Sequence, residues 1–169
     1  MKWLIALLLI LAGCTVTQDE IIPGGDTMKL SSPAFREGDS IPAKFTCQGD
    51  DINPALVIEG VPSDAKSLAL IVDDPDAPGG IWTHWLVKGI PANLSRISEN
   101  GVPGEQVLND FGEGRYDGPC PPSGKHRYFF KVYALKVKNF DASNKKEFYK
   151  QVEVNKIDEA SLMGVYSKK

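Results

Sequence analysis

Short apolar segments separated by turns make up most of the chain and indicate a mainly β domain. Residues 67–72 are apolar at nearly every position, which is typical of a central strand buried on both faces. Residues 56–58, 81–90 and 128–137 have the bounded runs of strand-forming residues that favour β-structure, and residues 41–47 alternate in polarity. Proline- and glycine-rich turns separate these segments, so we predict a β-sandwich-like domain.

The few helical signals lie near the C-terminus. Ser143 or Asn144 can cap a helix that runs to about residue 152, with Phe148 and Val152 facing inward. Residues 157–165 fit either a second short helix or a closing strand. The predicted fold class is therefore mainly β, with one or two short helices near the C-terminus.

The N-terminal segment has the features of an export signal. Residues 3–12 are an unbroken apolar run after a basic start. As a helix this run spans about 15 Å, half of the roughly 30 Å hydrocarbon core, so it fits a signal peptide better than a membrane span. Residues 11–14, Leu-Ala-Gly-Cys, resemble a bacterial lipobox. We predict a lipoprotein signal peptide over residues 1–13; the alternative is an N-terminal core helix that ends in Cys14.

The lipobox prediction also divides the rest of the chain. Cys14 is the predicted lipidation site, residues 14–27 form the lipidated end and a polar tether, and residues 28–169 form the folded domain. Residues 15–27 reach roughly 45 Å when extended. Two or three acyl chains give durable attachment. We expect an exported protein on the outer face of the cell membrane, or in the outer membrane of a two-membrane cell.

The net charge excludes one class of partner, and the cysteine content limits the possible disulfides. Lys and Arg number 19 against 22 Asp and Glu, a net charge of -3, so the domain lacks the basic surface of a nucleic-acid-binding protein. Export would place Cys47 and Cys120 where disulfides form. These two cysteines are either bridged or two buried free thiols.

The chain has two histidines, and each has a similar sequence context. Strand periodicity places His84 on one face with Trp82 and Leu86, and His126 on one face with Tyr128. The opposite face of the first strand then carries Thr83, Trp85 and Val87. A loop rich in proline and glycine precedes each histidine and can close over a pocket.

Four short motifs in this order resemble the signature of a known family. The motifs are Asp74-Pro75-Asp76-Ala77-Pro78, Trp82-Thr83-His84-Trp85, Gly118-Pro119 and His126-Arg127-Tyr128. They resemble the phosphatidylethanolamine-binding proteins, and most closely the bacterial and archaeal branch called Raf-kinase-inhibitor-like. The resemblance covers about residues 28–166.

The resemblance implies antiparallel sheets and a small anion pocket, in which relatives bind phosphate, phosphorylethanolamine or similar groups. Carried onto this chain, the pocket residues are Asp74, Asp76, Trp82, His84, Gly118, Pro119, His126 and Tyr128. Animal members have a C-terminal helix that adds an aromatic residue to the pocket, and this chain is too short for it. The pocket is therefore expected to be more open, and kinase partners are not transferred; a protein partner stays unknown.

Elementary chemistry agrees with an anion pocket. Two imidazoles, a phenol and the Gly118 amide are donors that a phosphate needs. Pro119 lacks an N–H, so its expected role is to fix the loop that aims Gly118. Asp74 and Asp76 are expected to accept hydrogen bonds from the imidazoles, or from the ammonium group of a zwitterionic ligand.

A binding protein without cofactor, metal or catalytic residue is the function that we expect. The partners are a small anionic or zwitterionic ligand and, through the lipid anchor, a membrane. One alternative is a hydrolase or metal-dependent enzyme that uses the His/Asp cluster. The sequence lacks the H-E-x-x-H, G-x-S-x-G, P-loop and dinucleotide motifs that would favour this alternative. A second alternative is an inhibitor or regulator directed at another protein.

Overall fold

The computed structural model describes residues 27–168 and has two antiparallel sheets and one α-helix. The predicted signal peptide, Cys14 and most of the tether lie outside the described residues. The strands are β1 (Lys29–Ser31), β2 (Leu56–Glu59), β3 (Ser67–Asp74), β4 (Trp82–Ile90), β5 (Arg96–Ile97), β6 (Glu105–Val107), β7 (Lys125–Leu135) and β8 (Lys156–Ser167), and helix α1 (Lys145–Asn155) lies between β7 and β8. The predicted mainly β class is confirmed. Residues 27–168 include no helix long and apolar enough to cross a bilayer.

The strands form a small and a large sheet packed together. The small sheet has the order β1-β2-β5 and the large sheet the order β6-β4-β3-β7-β8. β3 is central, pairing with β4 on one side and β7 on the other. All of its residues are buried, because the small sheet covers one face and α1 the other. Leu70 and Val72 face the small sheet, whereas Ala69 and Ile71 face α1. This explains the unbroken apolar run.

Helix α1 has the predicted cap. The Asn144 side chain accepts a hydrogen bond from the Glu147 amide at 3.1 Å, and the Glu147 carboxylate accepts one from the Ser143 amide at 2.9 Å. Phe148 and Val152 are buried against the large sheet. The helix continues to Asn155, and the segment after it is strand β8, so the closing-strand alternative is correct.

The prediction of a strand over residues 41–47 is wrong. The segment contains a single 3-10 turn, Ala43–Phe45, which begins after Pro42. The amides of Phe45 and Thr46 donate to the carbonyls of Pro42 and Ala43, both at 3.0 Å, within the turn. Pro42 has no amide hydrogen for a strand ladder, and its fixed φ suits the start of a turn. The alternation of residue types that suggested a strand has no counterpart in burial: Ile41 and Phe45 are buried, whereas Ala43 and Cys47 are exposed.

Candidate functional site

A cavity of about 370 Å³ opens where β3 ends and β4 begins. Its walls include three of the predicted site residues, Asp74, Trp82 and His84. The remaining wall comes from Phe111, Cys120, Pro122 and the turn at residues 77–79. A larger cavity of about 470 Å³ lies between residues 40–48 and the ends of β7 and β8, but neither histidine lines it. We therefore take the smaller cavity as the candidate site, because predicted site residues line it.

A β-bulge in β4 sets the direction of His84. Val72 pairs with Trp85 and Asp73 pairs with Thr83, so His84 is an extra residue in the ladder. Thr83 lies on the α1 face, where its hydroxyl is 3.2 Å from the Tyr149 hydroxyl. His84 lies on the other face, with its ring centroid 5.3 Å from that of Tyr128.

The bulge corrects the faces predicted from simple alternation. Leu86 packs in the core beneath α1, so it does not share the face of His84. Trp85 packs between the sheets, in contact with Tyr116, and is no longer on the face of Thr83. An added residue shifts all later side chains relative to earlier ones, which a strict period of two cannot represent.

The surroundings of His84 determine its tautomer. Its Nδ1 is 2.6 Å from the Asp117 carbonyl oxygen, which can only accept, so Nδ1 carries the proton. Burial lowers the pKa of His84 below 6.5, although the Asp117 carbonyl and the charge of Asp74 act in the opposite direction. At neutral pH the Nε2 atom is therefore a hydrogen-bond acceptor, not the donor expected from the sequence.

His126 is held by a carboxylate. Its Nδ1 donates to Asp74 Oδ2 at 2.7 Å, and the other Asp74 oxygen accepts from the Asp76 amide at 2.8 Å. Both side chains are buried. Asp74 lines the cavity beside His84, whereas His126 and Tyr128 do not line it. His126 is connected to the cavity wall through its hydrogen bond to Asp74, and Tyr128 through its contact with the His84 ring. Asp74 thus has the orienting role expected for a carboxylate beside an imidazole.

The Tyr128 hydroxyl has no hydrogen-bond partner and is buried, the single such side-chain atom in the part of the chain that the structure describes. Burial, with a smaller effect of the Asp74 charge, raises the pKa of Tyr128, so the phenol stays protonated. Buried polar groups are rarely left unpaired, because the loss of hydration is costly. This donor beside the His84 ring is therefore a candidate contact for a ligand.

Asp76 does not line the cavity. Its carboxylate forms a two-pronged ion pair with Arg127, with Nε–Oδ2 at 2.8 Å and Nη2–Oδ1 at 2.6 Å. These hydrogen bonds lower its pKa from 3.8 to about 2. The pair joins the turn after β3 to the start of β7. The structure therefore gives Asp76 a supporting position rather than a contact with the pocket.

Gly118 and Pro119 also support the wall from behind. The Gly118 amide donates to Asp51 Oδ1 at 2.7 Å, so it is already used inside the protein. A Cβ at Gly118 would lie 2.4 Å from the Phe45 carbonyl oxygen, which explains the glycine. The Pro119 carbonyl accepts from the Cys47 amide at 3.2 Å.

The next residue of this wall is covalently attached. The structure joins Cys120 to Cys47 in a disulfide, with the Cα atoms 5.4 Å apart. Of the two alternatives for these cysteines, the structure has the bridge. It fixes the loop that carries Cys120 against the 3-10 turn, and so fixes one side of the cavity.

Sequence reasoning missed Asn109, which organises the loop behind His84. Its Nδ2 lies 3.0 Å from the His84 carbonyl oxygen and 2.7 Å from Asp117 Oδ2. Its Oδ1 accepts from the amides of Phe111 and Glu113 at 2.9 and 3.0 Å. In turns, an asparagine side chain often accepts a hydrogen bond from the backbone amide two residues later. The sequence Asn-Asp-Phe-Gly at residues 109–112 was therefore an available signal for this turn.

Phe111 is the second residue that the sequence did not indicate. Its ring centroid is 5.4 Å from that of Trp82 and 5.3 Å from that of His84, both in edge-on contact. Its loop belongs to none of the four motifs. Trp82 and Phe111 together give the cavity an aromatic side, and the His84 ring lies against Phe111.

The enzyme alternative can be compared with the same geometry. Within residues 27–168, no three His, Cys, Asp or Glu side chains are grouped so that they could hold a metal ion. In the same range, the Nδ1 atoms of the two imidazoles are hydrogen-bonded to a backbone carbonyl and to a carboxylate, not to a Ser, Thr or Cys side chain.

Relatives of this chain are found in archaea and bacteria. The UPF0098 protein of Methanothermobacter thermautotrophicus is 44% identical in an alignment of 149 positions that covers 82% of this chain and 98% of the relative. The UPF0098 protein of Pyrococcus horikoshii is 43% identical in an alignment of 178 positions, gaps included, that covers 95% of this chain and 88% of the relative.

Solved structures have the same fold. A phosphatidylethanolamine-binding-protein homologue of Chlamydia trachomatis superposes with a TM-score of 0.80 at 42% identity, over 85% of this chain and 99% of the homologue. The Escherichia coli protein YbcL, described as a member of the mammalian family, gives 0.79 at 33% identity, over 84% of this chain and 99% of YbcL. The family model for phosphatidylethanolamine-binding proteins matches residues 31–167. The chain therefore belongs to the phosphatidylethanolamine-binding protein family.

Proposed function

We propose that this protein binds a small anionic or zwitterionic molecule through a phosphate or similar group, in the cavity lined by Asp74, Trp82 and His84, next to His126 and Tyr128. The observation that carries the proposal is the buried Tyr128 hydroxyl, which makes no hydrogen bond of normal geometry within residues 27–168, although the Asp74 carboxylate and the Cys120 backbone lie close to it. A ligand oxygen at that position would complete its hydrogen bonding. Two imidazoles whose Nδ1 atoms are already engaged stand beside it, each with Nε2 left for a ligand.

The tautomers favour a particular protonation state of the ligand. Neutral His84 offers an acceptor at Nε2, whereas Tyr128 offers a donor. A phosphate monoester with one protonated oxygen can satisfy both, because it has an O–H to donate and other oxygens to accept. The aromatic face of Trp82 then suits an apolar substituent or an ammonium group on the same molecule.

Attachment to a membrane is the second part of the proposal. Its support is the sequence of residues 11–14, which resembles a lipobox after a ten-residue apolar run. An exported, lipid-anchored binding protein would hold its pocket within a tether length of the membrane surface.

Calorimetry with phosphorylethanolamine tests the pocket. We expect the parent to bind and each of His84→Ala and His126→Ala to weaken binding by about 1–3 kcal/mol, the scale of a hydrogen bond to a charged group. Glu159→Ala is the matched control, because this exposed residue lies on β8 away from the cavity. A double histidine variant that binds as tightly as the parent would refute the pocket. Mass spectrometry of a co-purified molecule would identify the natural ligand.

A further inference from the structure

The disulfide between Cys47 and Cys120 lies between solvent and the cavity. Cys47 is an exposed residue, whereas Cys120 is partly buried and lines the cavity. One half of the bridge is therefore accessible to an external thiol, and the other half belongs to the wall of the candidate site. Exposed disulfides are reduced more readily than buried ones, and regulatory disulfides are commonly of this kind.

A cation lies beside the partly buried half of the bridge. The Lys168 Nζ atom is 3.9 Å from Cys120 Sγ. When a thiol breaks a disulfide, one of the two sulfurs leaves as a thiolate, and a neighbouring ammonium group stabilises a thiolate. Because Cys47 is the more exposed residue and Cys120 lies beside the cation, both observations favour attack on Cys47 and departure of Cys120.

We infer that this disulfide is a reversible redox switch of the cavity, opened by an external dithiol and closed again by a disulfide oxidant. In the first step, a thiolate of the dithiol forms a bond to Cys47 Sγ, the bond between Cys47 and Cys120 breaks, and Cys120 leaves as a thiolate. In the second step, the other thiol of the reagent displaces Cys47. The dithiol is oxidised to a disulfide, and two electrons and two protons pass to the protein.

The cavity side of the bridge connects it to ligand binding. The Cys120 backbone lies close to the Tyr128 hydroxyl, the donor that carries the proposed function. The next two residues, Pro121 and Pro122, have no amide hydrogen, so they cannot hold this wall by donating hydrogen bonds. Reduction should therefore loosen the wall, and a ligand would then have to order it on binding. This part of the inference rests on the proposed function.

Reduction of the folded, full chain tests the chemistry. Glutathione or dithiothreitol would be added without denaturant, the reaction stopped with acid, and the peptides mapped by mass spectrometry, which counts any label on Cys14 separately. We expect glutathione, a monothiol, to be trapped on Cys47, and dithiothreitol to release both thiols while the circular dichroism remains that of the folded chain. Reduction that requires urea, reduction that unfolds the chain, or glutathione trapped mainly on Cys120 would overturn the inference.

Lys168 provides the matched variants for the rate of reduction. Lys168→Met should slow the reduction by about threefold, because the leaving thiolate loses its neighbouring cation. Lys168→Arg keeps the charge and should react at the rate of the parent. Lys125→Met is the control, because this exposed lysine lies opposite Ser167 in the pairing of β7 with β8. A control that slows reduction as much as Lys168→Met would assign the effect to net charge and overturn the role of Lys168.

Calorimetry with phosphorylethanolamine tests the effect on the cavity. Reduction should weaken binding by about three- to tenfold, and oxidised dithiothreitol should restore it. Cys47→Ser with Cys120→Ser should bind as weakly as the reduced parent, without any added thiol. Val152→Ala is the control for lost stability, because it truncates a buried side chain beneath α1 and leaves the bridge intact. This control should bind like the parent.

The outcomes separate the switch from the proposed function. Equal affinity of the oxidised and reduced chains would overturn the switch and leave the pocket intact. Weaker binding by Val152→Ala would also overturn it, since lost stability alone would then explain the effect. An oxidised chain that does not bind phosphorylethanolamine would refute the proposed function and the coupling to affinity, whereas the exchange at Cys47 would still be decided by the kinetics.

Discussion

His84 and His126 show how two identical side chains acquire different chemistry from their neighbours. His84 donates to a neutral carbonyl and is buried beside aromatic rings, whereas His126 donates to the carboxylate of Asp74. A carbonyl offsets only part of the desolvation of a charged imidazole, so His84 resists protonation. The first consequence is a pH-dependence to which His84 contributes.

Sulfate binding should strengthen as the pH falls below 6.5. Because burial lowers the pKa of His84, its Nε2 becomes a charged donor only at lower pH, and a bound anion favours that form. One proton taken up on binding gives at most about a tenfold change per pH unit. Calorimetry between about pH 5 and 8 measures this, since sulfate itself does not titrate there. The same slope in His84→Gln would assign the proton to another group.

The free energy of unfolding should also depend on pH through His84 when no ligand is present. The folded pKa of His84 lies below the unfolded value of 6.5, so the unfolded chain binds the proton first. The contribution of His84 is therefore complete above pH 6.5 and is lost as the pH falls toward its folded pKa. Urea unfolding at several pH values should show a smaller loss on acidification in His84→Gln than in the parent.

Asn109 should affect ligand binding although it does not line the cavity. Asn109→Ala removes the donor to the His84 carbonyl and the acceptor for the Phe111 amide. We expect a loss of about 1–3 kcal/mol in stability, because buried groups lose their partners. Binding of phosphorylethanolamine should weaken as well. Asn109→Asp keeps the acceptor but places a carboxylate against Asp117, so it should destabilise at least as much; unchanged melting temperatures would contradict this role.

At the scale of elements, the pattern of apolar residues correctly predicted the strand and the helix that local sequence largely determines. The central strand β3 and helix α1 followed from the apolar run and the cap, because each is determined largely by its own residues. The turn at residues 43–45 begins after Pro42, a local signal that the alternating polarity obscured. The bulge at His84 depends on how β4 pairs with β3. Such pairing is not encoded in a local pattern.

The candidate site was predictable to a similar extent. The resemblance pointed to residues that the structure does place at the cavity, including Asp74 and Trp82, but not to what each one does. The ion pair of Asp76 with Arg127 and the internal use of the Gly118 amide need the folded loops to be known. Asn109 and Phe111 lie in a loop whose sequence is ordinary, so their roles arise from tertiary contacts.

The ion pair between Asp76 and Arg127 should contribute little to the free energy of unfolding. Both side chains are partly exposed, so solvent screens the pair. We expect Asp76→Asn to cost less than about 1 kcal/mol near neutral pH, and the difference from the parent to shrink in acid as the pH approaches the pKa of about 2. Phosphorylethanolamine should bind within about twofold of the parent. A large loss of affinity would show that Asp76 reaches the ligand.

At the scale of the whole molecule, the disulfide is the strongest covalent constraint. It joins residues 73 positions apart, for which the loop-entropy model gives about 4 kcal/mol of stabilisation. Mass mapping of peptides without reduction should recover Cys47 linked to Cys120, and Cys47→Ala with Cys120→Ala should unfold at markedly lower urea. Alkylation of both thiols without reduction would contradict the bridge.

Attachment to the membrane is tested at the same scale. Cys14→Ser should abolish acylation and leave the signal peptide attached, because lipoprotein processing requires the modified cysteine. Metabolic labelling with a fatty acid and the mass of the purified chain measure both effects. Processing of the variant at the same bond as the parent would refute the lipobox.

The disulfide also divides the chain into parts with different fates after cleavage. The covalent ring from Cys47 to Cys120 contains β2 to β6 and therefore His84, whereas His126 lies on β7 outside it. A protease that cuts a surface loop between residues 48 and 119 would leave both fragments joined and the pocket assembled. A cut between Cys120 and His126 would open no ring and would leave β7 and β8 held by hydrogen bonds and packing alone. A cut at residues 121–124 therefore leaves no covalent link between His84 and His126.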